Sequence, residues 1–203
     1  MPAPAVIFDL GGVLIDWNPR HLYRKLLPGD EAAMERFLAE ICSPAWNAEL
    51  DGGRPFSDGV RELSERHPEY ARLIEAYHTR WPEMLGGVVE GSVELLEELS
   101  RTGVALYALT NWSAETYPIA GGRFPFLRRF RGIVVSGQER LQKPDPRFFQ
   151  VLLRRYSVAP ETALFIDDSA ANVDEARRLG MSGVVFRSAA ALRRELVALK
   201  LLP

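Results

Sequence analysis

Asp9, Thr110-Asn111, Lys143 and Asp167-Asp168 are the residues of this chain whose types and spacing could do chemistry. Three carboxylates brought together repel, so they coexist only with a cation among them or with a proton retained. Oxygen ligands without thiol or imidazole suit a hard ion. Mg2+ fits, because a few carboxylates hold it while water and a phosphate complete its shell. One carboxylate can then act as a nucleophile, since Asp accepts phosphoryl groups. Lys143 would offset charge on Asp9 and on the substrate, while Thr110 and backbone amides hold phosphoryl oxygens. The chemistry expected is phosphoryl transfer, driven chiefly by electrostatics.

Those groups meet only if the chain between them builds a parallel sheet. Val6-Ile7-Phe8 is a short apolar run that ends in Asp9, and it reads as a strand buried on both faces. Gly11 and Gly12 follow, where the backbone can curl around an anion. From Glu90 onward helix and strand alternate. Helices are expected at Glu90 to Arg101, Asp145 to Tyr156 and Ala170 to Leu179, and strands at Val104 to Leu109, Ile133 to Val135, Ala163 to Ile166 and Gly183 to Phe186. Such alternation argues an α/β fold, a Rossmann-like parallel sheet core with helices on both faces. Its carboxyl edge then carries Asp9, Thr110, Asn111, Asp167 and Asp168, with Lys143 reaching in from a loop.

Between Trp17 and about Leu85 the pattern is helical, with no convincing strand. Segments at Arg20 to Leu27, Asp30 to Ile41, Phe56 to Arg66 and Glu69 to Trp81 are separated by Pro28-Gly29, Ser43-Pro44, Gly52-Gly53 and His67-Pro68. This divides the chain into a core of residues 1–16 and 86–203 and an inserted helical module of residues 17–85. Trp46, Phe56, Tyr70, Tyr77 and Trp81 are expected to form the module's core. His21, His67 and His78 show no ligand spacing.

Lys+Arg number 25 against 27 Asp+Glu, a net charge of -2 that gives no field for nucleic acid or a membrane surface. The single Cys42 cannot form an intramolecular disulfide and reads as a core residue in a reducing compartment. The amino terminus lacks a signal pattern and no run is long enough to span a bilayer, so the expectation is a cytoplasmic protein. Oligomeric state stays open, with the Phe124-Pro125-Phe126 loop as one place for a dimer contact.

Phe8-Asp9-Leu10-Gly11-Gly12-Val13, Leu109-Thr110-Asn111, Lys143-Pro144-Asp145-Pro146 and Phe165-Ile166-Asp167-Asp168-Ser169 with Asn172 resemble, in order, the four motifs of the haloacid dehalogenase-like hydrolases. The resemblance implies that Asp9 is the nucleophile, Lys143 the charge-balancing lysine, and Thr110, Asn111 and Gly11 the contacts to phosphate and substrate. It also implies Mg2+ held by Asp9, the backbone carbonyl of Gly11 and Asp168, with Asp167 assisting. The module of residues 17–85 looks like the family's helical cap, whose closure would set substrate choice. Trp17, Trp46, Asn47 and Trp112 are candidates to line its pocket, and Asp16 to pin the turn into it.

Most phosphatases of this family carry an acid/base Asp two residues after the nucleophile, where this chain has Gly11. Haloacid dehalogenases proper lack it too, but they need no metal and typically replace the Asp-Asp pair, which is intact here. Arg20 and Arg36 are the candidates, by position, for their halide-binding arginine. A branch resembling the phosphatases of glucose 1-phosphate has glycine there and keeps the pair. The leading expectation is a Mg2+-dependent phosphatase of a small phosphate monoester, working through an aspartyl-phosphate. The alternative is a metal-independent 2-haloacid dehalogenase using the same Asp9. A third is a binding module with a degenerate site. General acid–base help contributes about 10² to 10⁴ in rate, so losing it would slow hydrolysis of the aspartyl-phosphate without abolishing catalysis.

Overall fold

The central strand β1 (Ala5–Phe8) is buried along its whole length. Its neighbours are β4 (Ala105–Thr110) and β6 (Ala163–Asp167), each as thoroughly buried, which is what continuous apolar runs require. β5 (Gly132–Val135) and β7 (Ser182–Val185) close the two edges. The sheet has five strands in the order β5-β4-β1-β6-β7, and every pairing is parallel. The structure is a computed structural model in which residues 5–203 are described. The α/β parallel-sheet expectation holds, with strand limits within one residue of those read from sequence.

Side chains alternate along β1, and each face finds its own core. Val6 and Phe8 pack with α6 (Ser92–Arg101) and α11 (Ala189–Ala198), while Ala5 and Ile7 pack with α9 (Pro146–Arg155) and α10 (Ala170–Arg178). Two shorter helices, α7 (Tyr117–Arg123) and α8 (Ser136–Glu139), follow β4 and β5. The chain leaves β1 toward β4 on one side and later crosses to β6 on the other, so β1 ends at a topological switch point.

Between β1 and β4 lies a helical segment: α1 (Arg20–Leu26), α2 (Glu31–Arg36) continued by a π-helical turn at Phe37–Ile41, α3 (Pro44–Asp51), α4 (Phe56–Arg66) and α5 (Ala71–Thr79). α4 has the limits expected from sequence. α3 was not expected, because Ser43-Pro44 reads as a break. Here Ser43 is an N-cap, accepting the Trp46 N–H, and Pro44 begins the helix, where its missing N–H costs nothing.

The expectation of no strand from Trp17 to Leu85 is corrected at both ends. β2 (Ile15–Trp17) and β3 (Leu85–Val88) form a two-stranded antiparallel ladder through which the chain leaves and rejoins the core. A three-residue strand shows no alternation, and Gly86-Gly87 depresses strand propensity, so the pair leaves no pattern in the sequence. Asp16 sits in β2 with its carboxylate 2.8 Å from His21 Nε2, and a Cβ on Gly86 would collide with both. Phe124 and Phe126 are buried, which removes the exposed aromatic contact considered for that loop. Among the described residues no helix is long and apolar enough to cross a membrane.

Candidate active site

Register brings the acidic groups together before any side chain is considered. Phe8 pairs with Ile166 across β1 and β6, and the Asp9 N–H continues the ladder by donating to the Ile166 carbonyl at 2.8 Å. Asp9 therefore leaves the sheet beside Asp167, with Asp168 one step beyond. Carboxylate oxygens of Asp9, Asp167 and Asp168 lie within 4.8 Å of one another. An all-oxygen donor set of this density fits a hard divalent cation and no soft one.

Lys143 is what holds two of these carboxylates apart. Its ammonium is 2.9 Å from Asp9 Oδ1 and 2.7 Å from Asp167 Oδ2, with the lysine side chain almost fully buried. Burial alone would push its pKa down, but Asp9 and Asp167 outweigh that and hold it above the usual value. Burial pushes Asp9 the other way, up to about 7, against the opposing pull of Lys143.

Asp167 is saturated. Besides Lys143 it accepts Asn172 Nδ2 at 3.0 and 3.1 Å and the Ser169 N–H at 2.8 Å. Asp168 is the open carboxylate of the pair, and with Asp9 it lines a cavity of about 330 Å³. Gly12 makes room for it: the residue has φ +72 and a Cβ there would run into the Asp168 carboxylate.

Asn111 sits differently from a simple substrate contact. Its Nδ2 donates to the Lys143 carbonyl at 3.0 Å and its Oδ1 accepts the Lys143 N–H at 2.8 Å, so the carboxamide fixes the loop carrying the lysine. The residue still lines the cavity, as do Gly11 and Gly12. Thr110 is buried at the end of β4, outside the cavity's lining.

The cavity also has an aromatic lining, made by Trp17, Trp81 and Trp112. The rings of Trp81 and Trp112 are 5.7 Å apart, and the indole N–H of Trp112 is spent on Thr116 Oγ1. Trp17 and Trp112, for which the sequence allows either core packing or a place at the pocket, line the cavity, and Trp81, expected in the helical core, joins them. Trp46 packs edge-on against Tyr77 instead, and Asn47 contacts other protein groups. Arg20 is held by Glu35 through two 2.6 Å hydrogen bonds, and Arg36 is exposed. Among the described residues no arginine lines the cavity.

A family model for haloacid dehalogenase-like hydrolases matches residues 3–180. The chain belongs to this family. The hydrolase is 28% identical over 192 residues to the sesquiterpene phosphatase astK of Aspergillus oryzae, covering 95% of this chain and 94% of that one. Of a longer curated relative from Aspergillus calidoustus it spans 35%. Its fold is shared with the HAD family enzyme bt-2542 of Bacteroides thetaiotaomicron, solved in complex with magnesium and inorganic phosphate, at a TM-score of 0.70, 22% identity and coverage of 92% and 95% of the two chains. It is also shared with the L-2-haloacid dehalogenase of Xanthobacter autotrophicus, solved with chloropropionic acid covalently bound, at a TM-score of 0.65, 20% identity and coverage of 99% and 85%.

The hydrolase has one acidic residue at its cavity that the sequence reading passed over. Asp51 ends α3 and lines the cavity from the helical side. It was hidden because Asp51-Gly52-Gly53 reads as a turn.

Proposed function

We propose that this hydrolase is a Mg2+-dependent phosphatase of small phosphate monoesters that forms an aspartyl-phosphate on Asp9. The observation that carries the reading is the intact cluster of Asp9, Lys143, Asp167 and Asp168, of which Asp9 and Asp168 line the cavity, an arrangement with more charge than a carbon–halogen bond requires. The dehalogenase alternative is disfavoured because Arg20 is committed to Glu35 and no arginine is in the described cavity lining.

Asp9 attacks phosphorus, and Lys143 balances its charge before and after. Asp167 and Asn172 keep the ammonium aimed, and Asn111 fixes its backbone. The backbone N–H of Gly11, with Thr110, receives the phosphoryl oxygens, the Gly12 N–H being spent on the Ile15 carbonyl at 2.9 Å. Asp9, the Gly11 carbonyl and Asp168 would hold Mg2+, whose chemistry is to neutralise the phosphoryl group; we leave Asp167 chiefly to Lys143. Residues 17–85 are read as a cap that encloses the substrate's alcohol, with Trp17 and Trp81 among its contacts.

The aromatic wall suits an alcohol with an apolar face. A sugar ring presenting its C–H face, as in the glucose 1-phosphate branch that Gly11 with Asp167-Asp168 resembles, satisfies this, and so does an isoprenoid alcohol, as the name of astK invites. A cytoplasmic setting, with Cys42 buried as a free thiol, remains part of the proposal.

The test is release of nitrophenolate from p-nitrophenyl phosphate with Mg2+ and with chelator, alongside Asp9→Asn. Release that needs Mg2+ and vanishes in the variant is expected. Absent release at high enzyme, together with chloride release from 2-chloropropionate in chelator, would overturn the reading in favour of the dehalogenase.

A further inference from the structure

The Gly11 problem has an answer in another residue of the cavity lining. We propose that Asp51, presented by the last turn of α3, is the general acid and base of this site and supplies the proton transfer that position 11 cannot. The inference rests on the phosphatase reading and deepens it.

Four observations carry it. Asp51 lines the same cavity as Asp9, and it is presented by the inserted helical segment rather than by the edge of the sheet. Its carboxylate is held rather than free: Oδ1 accepts the Ser113 N–H at 3.0 Å and Oδ2 accepts Asn47 Nδ2 at 2.7 Å. Asn47 is in turn held by the Tyr77 hydroxyl, which donates to its Oδ1 at 2.8 Å, and the Asp51 carbonyl accepts the Ser136 hydroxyl at 2.5 Å. Each carboxylate oxygen therefore keeps a lone pair for a proton while its orientation is fixed.

The surroundings favour retaining that proton. Burial raises the Asp51 pKa to about 7, the Ser113 N–H and Asn47 oppose it, and Asp9 across the cavity adds to it. The C-terminal end of a helix also disfavours a carboxylate. The titratable groups around it are Asp9 and Asp168 on the cavity, Lys143 behind Asp9 and Tyr77 from α5, and the Tyr77 hydroxyl is itself held well above its usual value by burial. No cation pairs with Asp51 among the described residues. An acid with this balance near neutrality is suited to both halves of the reaction.

The steps balance. In the first, Asp9 bonds to phosphorus, the ester P–O bond breaks, and the departing alkoxide takes the Asp51 proton to leave as alcohol. In the second, the Asp51 carboxylate takes a proton from water, the oxygen attacks phosphorus, and the P–O bond to Asp9 breaks to give inorganic phosphate. Asp51 ends protonated, as it began.

Asp51 also ties α3 to the loop after β4, so the test must separate chemistry from anchoring. Asp51→Asn keeps an acceptor for Ser113 and cannot supply a proton. With wild type and variant, turnover is measured for p-nitrophenyl phosphate, whose leaving group needs no proton, and for n-butyl phosphate, whose leaving group does. The expected result is a fall of about 10² to 10⁴ in kcat/KM for the butyl ester, with kcat/KM for nitrophenyl phosphate little changed. The variant should still give a burst of one nitrophenolate per enzyme, followed by slow turnover as the phospho-enzyme waits for activated water. Equal losses of kcat/KM, which reports the phosphorylation step alone, on both esters, or none on either, would overturn the assignment.

Wild type alone provides a second readout that does not depend on the variant folding. Its kcat/KM for butyl phosphate should fall on the alkaline side of about 7 as Asp51 loses its proton, while nitrophenyl phosphate lacks that limb. Matching profiles for the two esters would also overturn it. A wild type inert toward both esters defeats the phosphatase reading itself, and the Asp51 assignment with it.

Discussion

Lys143 Nζ lies 2.7 Å from Asp167 Oδ2, closer than its 2.9 Å approach to Asp9, so the lysine is anchored in the sheet by one carboxylate while it serves another. Lys143→Met removes the cation and leaves two buried carboxylates facing each other. Truncating one partner of a buried ion pair costs about 3 to 5 kcal/mol, and loss of one charge-stabilising group costs about 10² to 10³ in kcat. Both effects are expected together, read by denaturant melts and by p-nitrophenyl phosphate turnover.

Asn172→Ala tests the anchor without touching the ammonium. Asp167 loses both Asn172 contacts but keeps the Ser169 N–H and Lys143. Groups that orient a site from behind contribute about 10- to 100-fold, and a loss in that range is expected in kcat with KM little changed. A variant with wild-type kcat would show that Lys143 holds its position unaided.

Gly12→Ala addresses the room left for Asp168. The backbone there is left-handed and an added Cβ would strike the Asp168 carboxylate. Strain of about 1 to 3 kcal/mol is expected, with a rise of at least tenfold in the Mg2+ concentration needed for half-maximal activity. At Gly11, by contrast, a Cβ would meet nothing within 4 Å. Gly11→Asp should therefore fold normally, and in the Asp51→Asn background it should restore part of the butyl phosphate turnover.

Stability without metal should fall as pH rises from about 4 to about 7. The Asp51 pKa is lifted from the ordinary 3.8 to about 7 by burial, so in that window the folded chain binds protons that the unfolded chain has released. Stability linked to such a group is lost as the pH climbs. Asp9 shifts in the same direction, so Asp51→Asn should reduce the slope rather than flatten it. Urea melts in chelator at a series of pH values give the slope directly.

The core was legible in the sequence because parallel strands buried on both faces must be uninterrupted apolar runs, and polar groups at their ends stand out. Asp9, Thr110, Asp167 and Asp168 were visible for that reason. Asn111 was visible as a site residue but not in its task, since a carboxamide that brackets the Lys143 backbone does so across 32 residues of chain. Asp51 and Trp81 were not visible at all. Each looks like part of a local pattern, a turn in one case and a helical core in the other, and only the docking of the helical segment on the sheet turns them toward the cavity.

The antiparallel pairing of Asp16 with Gly87 places the two ends of a long insertion side by side. To the sheet, everything between them is equivalent to a tight loop joining β1 to the helix before β4. The strands need no information from that segment to find their order, so apart from Asp51 and the groups that hold it the segment's sequence is not tied to the sheet. Exchanging what lies beyond the stem would alter Trp81 and its surroundings while leaving Trp17 and Trp112 in the cavity wall.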